Sequence, residues 1–389
     1  MTARSVLIVG AGLAGSRCAE TLRAAGFDGR ITLVGDEPVG PYERPALSKE
    51  LLAGAKERVE LRPAEHWEER AIDLVLGRRV EPEELARAAP GGRAVVGLPE
   101  ADAIVIATGA QARTLPFPCP PGVHTLRTLA DAERLRQALT PGSRLAVIGA
   151  GFVGAEVAST ARSLGVDVAL VDVEPAPLLR VLGAEVGGLL AERYRAHGVD
   201  LRLGAGLGRF LTSPAGELTG IELTDGSTLA CDTALVAIGA APACDLMGDA
   251  RAGIETDACG RTARPNVYAC GDVARAFRPS LGAHLRVEHW TSAAGQAASV
   301  AHAILGSERP YDELPYFWSD QFGLRLQHVG HAEAPAAVEL DGDATEFTAR
   351  YRDAGGRLLA ALAANRPREI GSLRRELAGA AAATAATAA

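Results

Sequence analysis

Residues 5–20, SVLIVGAGLAGSRCAE, decide the fold class of this chain. A short apolar run leads into Gly10, Gly12 and Gly15, and a helix-like segment containing Ala19 follows. In this pattern the first glycine permits a tight strand-to-helix turn and the second lets the backbone approach a pyrophosphate. The third lets the helix pack closely on the strand, with the pyrophosphate at the helix N-terminus. The stretch therefore predicts a dinucleotide-binding βαβ unit.

The same module occurs a second time, at residues 143–158, SRLAVIGAGFVGAEVA. Its glycines are Gly149, Gly151 and Gly154, and Ala158 follows them at the spacing seen in the first copy. A single GxGxxG is weak evidence because glycine-rich turns are common. Two copies in the same strand–glycine–helix context are much stronger, so the sequence predicts two Rossmann-like dinucleotide-binding domains.

Each module is followed by a second strand that ends in acidic residues. The stretch RITLVGDE ends at Asp36 and Glu37, and VDVALVDVE ends at Asp172 and Glu174. An acid at this place accepts a hydrogen bond from a ribose diol and repels a 2′-phosphate. The first arginine after Asp172 is Arg180, so we expect NADH rather than NADPH in the second module. Two dinucleotide sites in one chain indicate two dinucleotides, and FAD in one with a nicotinamide cofactor in the other is the usual arrangement.

Composition and cysteine spacing limit the remaining function classes. The chain has 389 residues, enough for two or three domains, and a formal net charge of −8, which argues against generic nucleic-acid binding. It has no apolar run long enough for a signal peptide or a membrane helix, so we expect a soluble, cytoplasmic protein. The six cysteines include no CxxC and no zinc-like pair, so we expect no metal site.

The cysteine positions also bear on two alternative flavoenzyme classes. A flavin disulfide reductase needs a redox-active cysteine pair, and no two cysteines here have that spacing. An NADH oxidase or peroxidase needs a catalytic cysteine soon after the first module, but the chain has none between Cys18 and Cys119. The sequence therefore argues against both classes.

Eight motifs, in order along the chain, resemble those of ferredoxin reductases of the oxygenase-coupled type. They are GAGLAG, LVGDEP, PYERPALSK, IVIATGA, GAGFVGAEVA, VYACGDVA, VEHWTSA and YFWSDQFGLRLQ. The resemblance extends to about residue 378 and places the chain close to the group of putidaredoxin reductase and biphenyl dioxygenase reductase, with apoptosis-inducing factor a more distant relative. It implies an NADH-dependent enzyme that passes a hydride to FAD. Single electrons then go to a [2Fe-2S] or similar small ferredoxin, a transient partner that serves a cytochrome P450 or a Rieske oxygenase.

The resemblance also implies which residues contact the cofactors. The FAD contacts come from the first module, in which Glu37 is the second candidate after Asp36, and from four later motifs: Gly10, Gly12, Gly15, Asp36, Glu37, Arg44, Lys49, Thr108, Gly109, Gly271, Asp272, Glu288, His289 and Trp290. The NADH contacts are Gly149, Gly151, Gly154, Glu156 and Asp172. The residues implied in catalysis are Lys49, Glu156 and Trp318, the last as an aromatic near the flavin and the route to the acceptor.

Lys49 also stands out by composition. The chain has 40 basic residues, of which only Lys49 and Lys56 are lysines. Lysine carries a compact ammonium, whereas arginine carries a wide planar fork. The resemblance implies that Glu156 approaches the nicotinamide carboxamide and pairs with Lys49. We hypothesise that this pair lies at the nicotinamide-facing edge of the flavin, where the ammonium supports the negative charge of the reduced ring. The simpler alternative for Glu156 is an acid that favours the macrodipole at the start of a helix.

The order of the motifs predicts an α/β chain with one dinucleotide domain inserted in the other. The predicted parts are an FAD domain at 1–111 and 245–313, an NADH domain at 112–244, a small C-terminal α+β domain at 314–378 and a disordered tail at 379–389. A monomer and a homodimer both fit the sequence.

Two functional alternatives and the docking surface stay open. One alternative is a redox-responsive FAD/NADH-binding protein of the apoptosis-inducing-factor type, and the other is a flavin NADH oxidoreductase with another acceptor. Ferredoxins are generally acidic, so a basic patch is expected to steer docking. The candidates fall in two clusters: Arg70, Arg78 and Arg79, or Arg366, Arg368, Arg374 and Arg375.

Overall fold

The computed structural model describes residues 3–87, 101–248 and 250–388. Its α-helices are α1 Leu13–Ala24, α2 Ala64–Glu69, α3 Pro82–Arg87, α4 Leu129–Ala138, α5 Phe152–Ser163, α6 Leu179–Ala196, α7 Trp290–Ile304 and α8 Pro367–Ala388. Short 3-10 helices span Arg44–Ser48, Asp245–Met247 and Pro279–Leu281. Over the described residues, none of the helices is both long enough and apolar enough to cross a membrane.

The strands fall in three groups along the chain. The first group is β1 Ser5–Val9, β2 Arg30–Val34, β3 Ile72–Val75, β4 Ala103–Ile106 and β5 Ala110–Ala112. The second group is β6 Val123–His124, β7 Arg144–Ile148, β8 Asp167–Asp172, β9 Asp200–Leu203, β10 Leu207–Thr212, β11 Leu218–Leu223, β12 Thr228–Ala230, β13 Thr233–Val236 and β14 Ala240–Pro242. The third is β15 Ile254–Thr256, β16 Val267–Ala269, β17 Ala274–Arg278, β18 Ala283–Leu285, β19 Tyr316–Gln321, β20 Leu324–Gly330, β21 Ala337–Asp343, β22 Glu346–Arg352 and β23 Leu358–Ala364.

The first of two compact units comprises Met1–Glu43, Val59–Gln111 and Ala241–Pro315. Its five-stranded sheet has the order β16-β4-β1-β2-β3, and every pair in it is parallel. Alternate side chains of β1 enter two different apolar clusters, Val6 and Ile8 in one and Leu7 and Val9 in the other. The sheet is thus buried on both faces, which explains the nearly continuous apolar runs of its strands.

The second unit comprises Arg44–Arg58, Ala112–Ala240 and Tyr316–Ala389. It holds a second five-stranded parallel sheet, in the order β6-β13-β7-β8-β9. Its C-terminal part is a five-stranded antiparallel sheet, β19-β20-β23-β22-β21, against which α8 packs. These sheets confirm the predicted fold class of two Rossmann-like domains with a small C-terminal α+β domain.

The division into units differs from the predicted domain boundaries in two ways. Arg44–Arg58, expected in the FAD domain, cluster with the second unit, because the 3-10 helix Arg44–Ser48 packs against α4 and α5. The C-terminal sheet clusters with the second module instead of standing apart. Helix α8 also continues to Ala388, through most of the stretch for which the sequence predicts a disordered tail. The many alanines of this stretch explain the difference, because alanine has the highest helix propensity.

Candidate functional site: two glycine turns and a buried ion pair

The first glycine turn joins β1 to α1, and each of its glycines meets a different constraint. Gly10 has φ +115°, and a Cβ built there would lie 2.2 Å from the carbonyl oxygen of Ala107. A Cβ on Gly15 would lie 2.0 Å from the oxygen of Gly10. A Cβ on Gly12 would meet nothing within 4 Å. Gly10 and Gly15 are therefore required by the chain's own packing, whereas Gly12 faces open space.

Gly12 is also the N-cap residue of α1, and it provides no side-chain cap. The first N–H groups of a helix lack intrahelical partners and favour an anion. Open space beside uncapped N–H groups fits the pyrophosphate of a dinucleotide. The first module can thus hold the ADP half of FAD in the way that the sequence predicts.

The GD turn of the CGDVA motif lies beside this glycine turn, within the first unit. Gly271 has φ +79°, and a Cβ built on it would come within 2.9 Å of the Cβ of Ala14, in the first turn of α1. Its N–H donates to Gln296 Oε1 of α7 at 3.0 Å. Asp272 is half-buried, and its carbonyl oxygen accepts from Arg286 Nη1 at 3.2 Å. The structure therefore brings together two motifs that are far apart in sequence.

The acids after β2 differ in their surroundings. Asp36 is exposed, whereas Glu37 is half-buried and its carboxylate accepts a hydrogen bond from the Tyr42 hydroxyl at 2.8 Å. This difference agrees with the ranking of Asp36 before Glu37 as the ribose acceptor, a role that stays a prediction.

In the ATG turn, the Thr108 hydroxyl donates to the carbonyl of Ala243 at 2.8 Å. The Ala243 N–H returns a bond of 3.0 Å to the carbonyl of Gly109, which has φ +71°. This exchange ties the ATG turn to the returning segment of the first unit.

The EHW motif precedes and begins α7. His289 is the N-cap residue, without a side-chain cap, and Trp290 is the first helical residue. The indole Nε1 of Trp290 donates to Glu43 Oε2 at 2.8 Å. Glu288 is exposed and pairs with Arg286 at 2.5 Å. The flavin contacts expected of these three residues stay predictions.

The second glycine turn, between β7 and α5, repeats the geometry of the first. Gly149 has φ +109°, and a Cβ there would lie 2.4 Å from the oxygen of Ala237. A Cβ on Gly154 would lie 2.0 Å from the oxygen of Gly149, whereas one on Gly151 would meet nothing within 4 Å. Gly151 is the uncapped N-cap residue of α5. The second module therefore fits a second pyrophosphate.

Asp172, at the end of β8, has a structural role that the sequence does not reveal. Its Oδ2 accepts from the N–H of Ala150 at 2.6 Å, and its Oδ1 accepts from the N–H of Glu174 at 2.9 Å. The carboxylate thus ties the glycine turn to the end of β8, while its contact with the ribose stays a prediction. Glu174 pairs with Arg180 at 2.6 Å, so the fold brings this arginine to the ribose end of the module.

Lys49 and Glu156 form the ion pair that the sequence analysis predicts. Lys49 Nζ lies 2.6 Å from Glu156 Oε2, and Nζ also donates to the carbonyl of Pro45 at 3.1 Å. Glu156 is the fifth residue of α5, whose first turn holds no acid, and it is only 7% exposed. The macrodipole explanation for this acid is therefore wrong, because that effect falls off within the first turn.

Two serines that the sequence analysis missed complete the surroundings of Glu156. Ser48 Oγ donates to Glu156 Oε2 at 2.5 Å, and Ser319 Oγ donates to Glu156 Oε1 at 2.7 Å. Ser48 directly precedes Lys49 in the PALSK motif, and this position could have indicated that it lies near Glu156. Ser319 could have been suspected as a polar residue among the inward-facing positions of YFWSDQ.

Trp318 and Arg44 also have predicted roles and belong to the second unit. Trp318 is half-buried and, by strand alternation, points to the face of β19 opposite to Ser319. Its ring centroid lies 6.4 Å from that of Tyr316. Arg44 donates through Nη1 to the carbonyl of Arg127. Of the three residues with a predicted role in catalysis, the structure joins Lys49 and Glu156 directly.

The cysteines offer no redox pair. All six are free thiols, and only Cys119 is exposed. Burial raises the pKa of Cys270 to about 12, and burial followed by the nearby Cys270 raises that of Cys18. A raised pKa keeps a thiol protonated and unreactive. The structure thus agrees with the argument against the thiol-dependent flavoenzymes.

Comparisons with known proteins cover nearly the whole chain. The family model described as pyridine nucleotide-disulphide oxidoreductase matches residues 4–297, and that described as reductase C-terminal matches residues 316–389. The anthranilate 1,2-dioxygenase system ferredoxin–NAD(+) reductase component of Burkholderia cepacia is 39% identical over 97% of this chain and 95% of its own length. Rhodocoxin reductase of Rhodococcus erythropolis is 35% identical over 96% and 89%.

A solved structure is also similar to this chain. It is a covalent putidaredoxin reductase–putidaredoxin complex, which matches with a TM-score of 0.89 at 32% identity and covers 96% of this chain and 93% of the matched chain. The recognised family, the enzyme class and the cofactor pair FAD and NAD(H) are thereby confirmed.

Proposed function

This chain belongs to the pyridine nucleotide-disulphide oxidoreductase family, and on that premise we propose that it is an FAD-dependent NADH:ferredoxin oxidoreductase. A relative that is 39% identical over nearly the whole chain is the reductase component of a dioxygenase system, and it is named for the transfer between ferredoxin and NAD(+). We propose the same acceptor class here, with a cytochrome P450 or a Rieske dioxygenase as the eventual electron consumer.

The observation that carries the proposal is the pair of open glycine turns, one in each unit. Gly12 and Gly151 both face empty space beside uncapped helix N-termini, while the flanking glycines are required by packing. Two equivalent cradles in one chain fit two dinucleotides. No two cysteines have the spacing of a redox-active pair and five of the six are buried, which argues against the disulfide chemistry in the family's name.

The chain's own residues then divide the work between binding and orientation. FAD, when bound, accepts a hydride and gives up electrons one at a time. Glu156 and Lys49 orient the nicotinamide end of NADH by charge and hydrogen bonding, and the second glycine turn holds its pyrophosphate. Asp172 keeps that turn in shape through the Ala150 N–H.

The partner is a small acidic [2Fe-2S] or similar ferredoxin, and of the two candidate clusters the C-terminal one fits it better. Arg78 and Arg79 of the first cluster pair with acids, as does Arg366 of the second. The other three arginines of the second cluster are exposed and have no acidic partner among the residues that the structure describes: Arg368, Arg374 and Arg375. Unpaired exposed cations contribute most to steering. A cytoplasmic location, and assembly as a monomer or homodimer, remain part of the proposal.

Absorption spectroscopy of the purified protein, followed by stopped-flow mixing with NADH, tests the proposal. We expect a flavin spectrum, rapid bleaching by NADH, and reduction of a [2Fe-2S] ferredoxin in a coupled assay. A colourless protein that fails to bind FAD would overturn the proposal. Bleaching without electron transfer to any ferredoxin would favour another acceptor. An NADH-driven change in oligomeric state without turnover would instead favour a redox-responsive binding protein.

A further inference from the structure

Glu156 receives three hydrogen-bond donors although its side chain is almost inaccessible. Oε2 accepts from Ser48 and Lys49, and Oε1 accepts from Ser319 of the C-terminal sheet. A buried carboxylate is costly unless it is paired and hydrogen-bonded. Lys49 supplies the counter-charge, so the two serines are additional to the ion pair and must be explained separately.

The Ser319 contact continues inward through two more buried side chains. Gln321 Nε2 donates to Ser319 Oγ at 3.0 Å, and the Tyr194 hydroxyl donates to Gln321 Oε1. All three residues are at most 2% exposed. They lie on α6 and β19, while Glu156 lies on α5, so one polar chain connects the second dinucleotide module with the C-terminal sheet.

The chemistry of the groups fixes which of them donates and which accepts in each of these hydrogen bonds. An ionised carboxylate can only accept, so the single hydroxyl hydrogen of Ser319 goes to Glu156. Ser319 Oγ must then accept from the amide nitrogen of Gln321, which turns the amide oxygen toward Tyr194. Tyr194 must in turn donate. Every dipole in the chain therefore points its positive end toward Glu156, and bonds aligned in this way strengthen one another.

We propose that Tyr194, Gln321 and Ser319 are positioning residues that hold the Glu156 carboxylate toward Lys49, so that the C-terminal sheet sets the affinity of the second module for NAD(H). This inference rests on the proposed function. The three residues need not touch the cofactor, because they act through Glu156. The C-terminal part of the protein thus contributes to coenzyme binding.

This series of hydrogen bonds orients Glu156 and does not conduct protons. The amide of Gln321 stands in the middle, and an amide does not readily accept a proton and pass one on. Burial, and then the charge of Glu156, raise the pKa of Tyr194, so its hydroxyl stays a neutral donor. Tyr194 and Gln321 therefore serve to polarise and fix Ser319.

A double-mutant cycle on the full-length, FAD-loaded protein tests the assignment. Ser319→Ala is made in the wild type and in Glu156→Gln, and the Kd for NAD+ is measured by titration calorimetry. We expect Ser319→Ala to weaken NAD+ binding about tenfold in the wild type, because the variant loses one hydrogen bond to a charged group. In Glu156→Gln we expect an effect of less than about twofold, because the charge on which Ser319 acts is gone.

Conservative variants and a matched control sharpen the result. Ser319→Thr keeps the hydroxyl and should restore binding, while Tyr194→Phe should give a smaller loss in the same direction. Ser159→Ala is the control, because Ser159 lies on α5 three residues after Glu156 and its hydroxyl accepts from the backbone N–H of Phe322 at 2.7 Å instead of bonding to Glu156. It should leave the Kd unchanged.

The outcomes separate this inference from the proposed function. Equal factors for Ser319→Ala in both backgrounds would show a merely structural role and overturn the inference alone. Should Ser319→Ala fail to fold, the same cycle with Tyr194→Phe decides the question. A wild type that holds FAD but shows no affinity for NAD+ or NADH would overturn the proposed function, and this assignment with it.

Discussion

Lys49 Nζ and Glu156 Oε2 lie 2.6 Å apart, and the two residues are 107 positions apart in the sequence. The ammonium also reaches the carbonyl of Pro45 and, at 3.4 Å, the hydroxyl of Ser48. Three acceptors around one nitrogen suit the three hydrogens of an ammonium. A planar guanidinium would need these acceptors in one plane, which explains why a lysine stands here in a chain whose basic residues are nearly all arginines.

Replacing Lys49 by arginine should keep FAD but slow flavin reduction by NADH about ten- to a hundredfold, because the wider fork cannot reproduce the placed charge. Stopped-flow absorbance at the flavin band measures the rate. Lys56→Arg is the matched control, since Lys56 is exposed and should change little. Equal, unimpaired rates in both variants would show that the lysine at position 49 has no role that an arginine cannot fill.

Gly12 and Gly15 should respond differently to alanine. Gly15→Ala should cost about 2–3 kcal/mol of the free energy of unfolding, because its Cβ meets a backbone oxygen that cannot move away. Gly12→Ala should leave the apoprotein stable, since its φ of −86° and its surroundings accept a Cβ. It should, however, weaken FAD binding roughly tenfold by crowding the pyrophosphate.

Thermal unfolding of the apoproteins and fluorescence titration with FAD separate the two effects. The same loss of stability in both variants would contradict the assignment of Gly12 to the ligand. Gly151 and Gly154 provide a repeat of the comparison in the second module, with NAD+ as the titrant.

Glu174 should control the discrimination between NADH and NADPH through Arg180. The pair engages the guanidinium of Arg180, in the first turn of α6, and Glu174, just after β8, also repels a 2′-phosphate. Glu174→Gln should raise the ratio of kcat/KM for NADPH to that for NADH about tenfold. Adding Arg180→Ala should cancel most of the gain. A ratio that stays at its wild-type value would mean that Asp172 alone sets the preference.

Charge reversal at Arg374 and Arg375 should raise the KM for an acidic ferredoxin several-fold without altering NADH-to-ferricyanide turnover. The Arg374 guanidinium lies 4.1 Å from the Tyr316 ring centroid, so aromatic contact fixes its position. Arg195→Glu, at an exposed place on α6, controls for net charge. If both activities change together, or neither does, docking uses another surface. The effect should shrink as ionic strength rises.

The sequence by itself determined the two dinucleotide modules, their order and the class of cofactors. These features depend on short-range rules: an apolar strand, glycines at fixed spacing, and a helix whose first turn faces a phosphate. It also indicated Lys49, through composition, and Glu156, through resemblance to a family.

Only the tertiary structure decided how those residues are held. Ser48 and Ser319 lie 108 and 163 positions from Glu156, and no local pattern encodes contacts over such separations. The same holds for the clustering of Arg44–Arg58 with the second unit, and for the backbone bonds that occupy Asp172. A buried carboxylate must find its donors wherever the packed segments supply them, and that choice is made by the packing of α5 against the 3-10 helix Arg44–Ser48 and β19.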